Sequence, residues 1–244
     1  MNSVPYFKKG FKMKSKYINE LLVKYLGLKI TRSRPTFEQA RKHLIESCDV
    51  SFVVDGGANR GQWAVEILKE YPNLDVLSIE PIREAFLELE SQTARFANWR
   101  SLNVALGDAV GTGVMHVANN DEQSSSLLEP EFHLEHYPTV QFTRTQETRI
   151  TTLDSLQIDE NEKVYLKLDI QGHELAALIG GSNLLTKVVA IELEMSPIEM
   201  YSSQATFLDV ANFLDKSGFK IFTFADIFRD NDGKWTYVDV IFSR

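Results

Sequence analysis

The chain of 244 residues has one cysteine, Cys48. No intramolecular disulfide can form, and no multi-cysteine zinc site can be built. It also lacks any run approaching the roughly 18 to 20 uncharged apolar residues that a membrane span requires, and its start lacks the apolar block of a signal peptide. A cytoplasmic protein without stable membrane insertion is the expectation. Low-complexity tracts are missing beyond the first few dozen positions. With 43% hydrophobic and 25% charged residues, the chain has what one large α/β domain and a short appendage need, and a second independent domain would not fit.

Negative charge is scarce at the start and abundant afterwards. Residues 1–42 carry a formal charge of +9 and the remainder −17, within a net charge of −8. An acidic body repels phosphate chains, which excludes broad nucleic-acid binding. The basic leader can serve as a solvated tail, a homodimer contact or a peripheral attachment to anionic lipid.

Residues 1–16 show no period and read as an arm. Helical spacing follows at 17–28 and 36–45, with Thr36 as a cap before Glu38 and Gln39. We therefore divide the chain into a basic arm with helices, 1–45, and a main domain, 46–244. From residue 51 short apolar runs alternate with helical periods, the sequence form of a parallel sheet. Strands are predicted at 51–55, 74–80, 99–105, 163–169 and 187–194, and helices at 62–71, 83–96, 173–179 and 206–217. The runs 219–224 and 235–242, separated by a turn-rich stretch, read as an antiparallel hairpin. Between 111 and 153 the rhythm lapses into two strands, near 114–118 and 142–150, around a polar stretch. Insertions of this length inside a compact domain are usually lids or binding segments.

Chemistry concentrates at the predicted carboxyl ends of the strands, where open parallel sheets bind ligands. Val53-Val54-Asp55-Gly56-Gly57-Ala58-Asn59-Arg60-Gly61-Gln62 is a strand ending in an acid that turns through glycines into a helix, whose first amides are expected to be free. A carboxylate at Asp55 repels a pyrophosphate but accepts from an α-ammonium. Glu80 closes the second strand 25 residues later, where it can accept both ribose hydroxyls of a nucleoside, a contact worth roughly 1.5 to 3 kcal/mol. Asp108, after Asn103-Val104-Ala105-Leu106-Gly107, can accept from an adenine amino group or simply make a turn. Asp169 ends Val164-Tyr165-Leu166-Lys167-Leu168 over the place where chemistry should occur. Asp169, His173 and Glu174 are the candidate bases, although Glu174 can equally cap a helix and His173 can be a surface residue. Glu192 and Glu194 share one face of the fifth strand, and either can reach the pocket rim or form a structural salt bridge. Ser125 and Ser126 belong to a loop facing substrate or cofactor. His133-Leu134-Glu135-His136 has no recognised zinc spacing, and we assign no metal.

Together these pieces resemble the FkbM-type methyltransferases. The matching segments are Val54-Asp55-Gly56-Gly57-Ala58-Asn59-x-Gly61-Gln62, Ile79-Glu80-Pro81, Asn103 to Asp108, Ser125-Ser126-Leu127, Thr152-Leu153-Asp154 and Leu166-Lys167-Leu168-Asp169-Ile170-Gln171-Gly172-x-Glu174, in the family's order over roughly 50–243. The resemblance implies a Rossmann-like, doubly wound α/β fold with a seven-stranded methyltransferase sheet ending in an antiparallel hairpin. It implies S-adenosylmethionine as donor and usually O-methylation of a hydroxyl on a sugar, glycolipid or polyketide-like product. It would place Asp55, Gly57, Asn59, Glu80 and Asp108 around the cofactor, with Gly61 in the same loop. The rivals are an NAD(P)-dependent oxidoreductase, opposed by Asp55 and the hairpin, and a non-catalytic module on the same fold, opposed by retention of the acid set.

Overall fold

The computed structural model describes residues 35–130, 133–230 and 232–244. The predicted arm and the helix at 17–28 lie outside the described residues. The compact unit begins at Thr36, ten residues before the expected boundary, because the next helix packs onto the sheet and belongs to it. That helix, α1 (Phe37–Ser47), opens with a capping box in which Thr36 and Gln39 satisfy each other's backbone amides. It buries Ala40, Leu44 and Ile45.

In chain order there follow β1 (Phe52–Gly56), α2 (Gln62–Glu70), β2 (Asp75–Ile79), α3 (Arg83–Thr93), β3 (Trp99–Leu102), β4 (Ala105–Leu106) and β5 (Gly111–Ala118). Next come the single turn α4 (His133–His136), β6 (Phe142–Thr151), β7 (Val164–Leu168), α5 (Glu174–Ile179) and β8 (Val188–Met195). The chain closes with α6 (Phe207–Lys216), β9 (Lys220–Phe224), β10 (Phe228–Arg229) and β11 (Trp235–Ser243).

The main sheet runs β10-β11-β8-β7-β1-β2-β3, with β9 also paired to β11. Its inner strands are parallel, and β11 inserts antiparallel between β8 and β9. The expected hairpin is present. The sheet has eight strands rather than seven, because the connection before β11 contributes the two-residue β10.

Strands buried on both faces must be apolar on alternate residues in both registers, and two cores result. Val54, Leu77, Leu166, Ile191 and Val240 pack beneath α5 and α6. Val53, Val76, Tyr165, Ala190 and Ile241 pack beneath α1, α2 and α3. Strand order reverses between β1 and β7, which places a crevice over their carboxyl ends.

One expectation fails at β3. This strand stops at Leu102 instead of 105, and Ala105–Leu106 forms β4 in a second sheet, ordered β4-β6-β5. Gly107 then passes so close to Gly180 that a side chain at Gly180 would meet the Gly107 carbonyl oxygen at 2.2 Å. The second sheet is the core of the predicted insertion, and it docks on α3 through Met115, Val117, Ile82 and Ala85.

Candidate active site

Pleat geometry organises the site. Cα partners across a sheet share a face, so Ser78, Asp55, Lys167 and Glu192 form one row across β2, β1, β7 and β8. Two residues further along each strand comes a second row on the same face: Glu80, Gly57, Asp169 and Glu194, with Asp239 of β11 opposite Glu194.

The deeper row is internally satisfied. Asp55 is fully buried; its carboxylate accepts from Lys167 Nζ at 3.2 Å and from Ser78 Oγ at 3.1 Å. Trp99 Nε1 donates to Ser78 Oγ at 2.9 Å. Glu192 accepts from Arg41 Nε and Nη2, each at 2.7 Å, and from the Tyr165 hydroxyl at 2.7 Å. Burial works against the Lys167 ammonium, but Asp55, Asp169 and Glu192 together raise its pKa.

The upper row faces a cavity of about 460 Å³ over the crevice. Glu80 is 5% exposed. Its Oε2 accepts from the Asn59 amide at 2.8 Å and its Oε1 from the Ile82 amide at 2.7 Å. Burial pushes its pKa up to about 7 despite those two amides, with Asp55 and Glu122 adding repulsion. Beside Glu80 the wall is apolar, built from Ile82, Leu106, Met115 and Leu127.

At the opposite end Gln171 ties the wall together. Its Nε2 donates to Asp169 Oδ1 at 2.9 Å and contacts Glu194 Oε2 at 3.4 Å. Its Oε1 accepts from the Tyr201 hydroxyl at 3.0 Å, which also lies 2.9 Å from the Ser124 carbonyl. Its carbonyl accepts from Ser126 Oγ at 2.7 Å. Burial holds the Glu194 and Tyr201 pKa values well above their ordinary ranges. His133, Tyr137, Tyr201 and Tyr237 line this end, and the His133 ring packs tilted against Tyr137 and Tyr201 and edge-on to Phe142. Burial, aided by His136, lowers the His133 pKa to about 4.

The cavity wall thus includes Gly57, Asn59, Glu80, Asp169, His173, Glu174, Glu194 and Ser125 from the sequence-predicted set, and omits Asp55, Gly61, Asp108, Ser126 and Glu192. Asp55 and Glu192 sit one pleat too deep, each in an ion pair. Gly61 packs against Leu89 and Trp99 in the left-handed region, φ 84°. Asp108 is exposed, because β4 carries the chain away from the main sheet before reaching it. Ser126 Oγ is spent on the Gln171 carbonyl. Glu174 is on the wall, yet its Oε1 accepts the Ile170 and Gly172 amides at 3.0 and 3.3 Å. It holds a turn in which Gln171 and Gly172 both have positive φ. Burial raises the Glu174 pKa to about 7 and lowers that of His173.

The loop amides are used internally, whereas the N-cap of α2, Gly61, makes no side-chain cap hydrogen bond to the first helix amides. Gly57 and Ala58 donate to the Ile79 carbonyl at 3.0 and 3.1 Å, Asn59 to Glu80, and Arg60 to Asn59 Oδ1 at 2.9 Å. The loop therefore presents no nest of amides to a pyrophosphate. Gly57 itself is required, since a Cβ there would lie 1.8 Å from the Asp169 carbonyl oxygen.

Four contributors escaped sequence reasoning. Lys167 left a readable signal, a cation inside an apolar strand. Gln171 lay within a quoted motif without an assigned role. Tyr137 and Tyr201 come from loops with no periodic signature. Among the described residues, no group of three or more His, Cys, Asp or Glu side chains is placed to hold a metal ion.

Among the described residues, two on the wall carry buried nitrogens without a hydrogen-bond partner, Trp63 Nε1 and His133 Nδ1. Acids for ribose and ammonium, an apolar slot and one ammonium for a carboxylate fit the parts of an amino-acid nucleoside.

This fold and cavity define a Rossmann-like methyltransferase. Residues 55–221 match the methyltransferase FkbM domain, and the chain belongs to that family, whose methyl donor is S-adenosylmethionine. The chain is 28% identical over 160 residues to the 2-O-methyltransferase NoeI of Sinorhizobium fredii (strain NBRC 101917 / NGR234), covering 62% of this chain and 66% of that protein. It resembles the crystal structure of methyltransferase FkbM from Methylobacillus flagellatus KT with a TM-score of 0.50 at 17% identity, over 80% of this chain and 44% of that one. The chain thus spans just under two thirds of the first relative and less than half of the second. No described helix is long and apolar enough to cross a membrane.

Proposed function

We propose that the protein transfers the methyl group of S-adenosylmethionine to a hydroxyl oxygen of a small-molecule or glycan acceptor, such as a sugar, glycolipid or polyketide-like product. The observation that carries this reading is the upper row of carboxylates around a loop whose amides are already used. That surface suits a sulfonium nucleoside and disfavours a dinucleotide. When bound, the donor supplies a methyl carbon activated by positively charged sulfur.

In this reading Glu80 receives the ribose hydroxyls, and Ile82, Leu106 and Met115 flank the base. Lys167 takes the carboxylate of the amino-acid moiety and Asp169 its ammonium. Asp55 acts through Lys167 by fixing its ammonium, and Gly57 and Asn59 shape the loop. Ser125 and the segment 119–141 cover the acceptor, which the tyrosines orient. The name of NoeI, an O-methyltransferase, supports oxygen as the atom methylated. We also propose the unit from Thr36 to Arg244, with the 111–153 insertion, as the catalytic part, a cytoplasmic location, and a basic leader that contacts membrane surfaces or a second copy.

Isothermal calorimetry with S-adenosylmethionine and S-adenosylhomocysteine tests the donor; binding of NADH with neither of these binding would instead favour an oxidoreductase. Labelled-methyl transfer to glycan, glycolipid and polyketide extracts tests the acceptor, and absence of any O-methyl product would overturn the reaction assigned.

A further inference from the structure

A hydroxyl is a poor nucleophile until it loses its proton, and the acid-rich end of the cavity offers several acceptors for it. Most are committed elsewhere. Glu174 holds the Ile170 and Gly172 amides. Asp169 accepts from Gln171 and stands 4.0 Å from Lys167 Nζ, so both of its oxygens already have partners. His173 lies toward Gly107 and Asp108, on the side of the apolar slot.

Glu194 differs from all of these. Among the described residues no backbone amide, lysine or arginine donates to its carboxylate, and its one contact is the 3.4 Å approach of Gln171 Nε2. It lines the cavity together with Tyr201 and Tyr237. The groups facing it are Asp169 from the β7 end, Gln171 after it, Glu174 from α5, Tyr201 after β8, and Tyr237 and Asp239 from β11. Asp239, directly across from it, disfavours a second negative charge. Such a carboxyl prefers to hold a proton until positive charge arrives beside it.

We propose that Glu194 is the catalytic base, taking the proton of the acceptor hydroxyl, with Gln171 and Tyr201 as positioning residues. This rests on the donor and reaction proposed above. The Tyr201 hydroxyl bonded to Gln171 Oε1 turns the amide so that its Nε2 faces both Asp169 and Glu194. In the balanced reaction the acceptor loses O–H and gains O–CH₃, and its proton passes to the Glu194 carboxylate. The methyl carbon leaves sulfur, which keeps the electron pair and becomes a neutral thioether. The sulfonium thus favours the ionised form of Glu194 before the step, and its disappearance favours the protonated form afterwards.

Calorimetry in two buffers of different ionisation enthalpy reads the protons exchanged on binding. The wild type should release more protons with S-adenosylmethionine than with S-adenosylhomocysteine, and Glu194→Gln should abolish the difference while still binding both. Gln171→Ala, which keeps the carboxyl, should shift the pH at which release occurs upward. In methyl transfer to the extracts, Glu194→Gln should lower kcat by about 10² to 10⁴-fold, flatten the rising limb of its pH profile and leave KM for the donor in place. Equal proton release with the two ligands, a difference that survives in Glu194→Gln, or an unchanged kcat overturns the assignment. Failure of the wild type to bind either ligand, or to methylate any extract, sinks the function proposed above instead.

Discussion

Lys167 and Asp55 face each other across β7 and β1, Nζ to Oδ1 at 3.2 Å, with the carboxylate fully buried. The pair joins the architectural row of the sheet to the row that meets ligand, since the same ammonium is 4.0 Å from Asp169 Oδ2. Removing one partner of a buried pair leaves a charge uncompensated, at a cost of about 3 to 5 kcal/mol. Lys167→Met should lose stability on that scale in urea unfolding, and the double variant with Asp55→Asn should recover part of it. A single variant as stable as wild type would show that the pair contributes nothing.

Gly57→Ala should be destabilising by about 3 kcal/mol or more, because φ is +75° and the new methyl would collide with the Asp169 carbonyl oxygen. Thermal unfolding measures the stability loss. Donor affinity should fall in parallel, since Asp169 is the group displaced.

Glu80→Ala should weaken S-adenosylmethionine binding by roughly 1.5 to 3 kcal/mol, read by calorimetry. Unaltered affinity would remove Glu80 from the ribose site.

Stability should depend on pH through the raised carboxyls. Glu80 and Glu174 have folded pKa values of about 7 and Asp239 of about 6, above ordinary unfolded values near 4. The folded state therefore binds more protons than the unfolded state across that interval. Their contribution is complete below about pH 4 and is lost as pH rises through 6 to 7. Urea midpoints of the ligand-free protein should fall over that window, and Glu174→Gln should flatten the decline; an equally steep decline in Glu174→Gln would count against it.

Arg60 ties the loop after β5 to the turn before α2, through Glu122 at 2.7 Å and the Asp121 carbonyl at 2.8 Å. Partly exposed pairs contribute at most about 1 kcal/mol, so Arg60→Ala should barely change global stability. Proteolytic cleavage within 119–126 should nevertheless become faster, as mass spectrometry of the fragments would reveal.

The sheet was legible because apolar runs such as Phe52-Val53-Val54 alternate with helical periods, and the terminal hairpin because Asp232-Gly233 interrupts two such runs. Asp55 drew attention as the acid at the strand end, but one pleat separates a carboxylate that braces the sheet from one that meets a ligand. Single-strand reading cannot fix that depth, whereas the row Ser78, Asp55, Lys167, Glu192 becomes evident once registers are known. Asp108 was misplaced because nothing in Asn103-Val104 signals that the chain changes sheets. Tyr201 and His133 reach the cavity through long-range packing that no periodicity encodes.

The grip of Arg41 on Glu192 spans 151 residues of sequence and is reinforced by the rings of Phe37 and Trp63. During synthesis α1 leaves the ribosome long before β8 exists, so its guanidinium has no carboxylate to meet until most of the chain is made. Pulse-labelled hydrogen exchange on refolding should find the α1 amides protected after those of β1 and β7; simultaneous protection would argue otherwise. The helix that opens the described domain then acts as a clasp fastened last, and the domain locks only when its early and late segments have found each other.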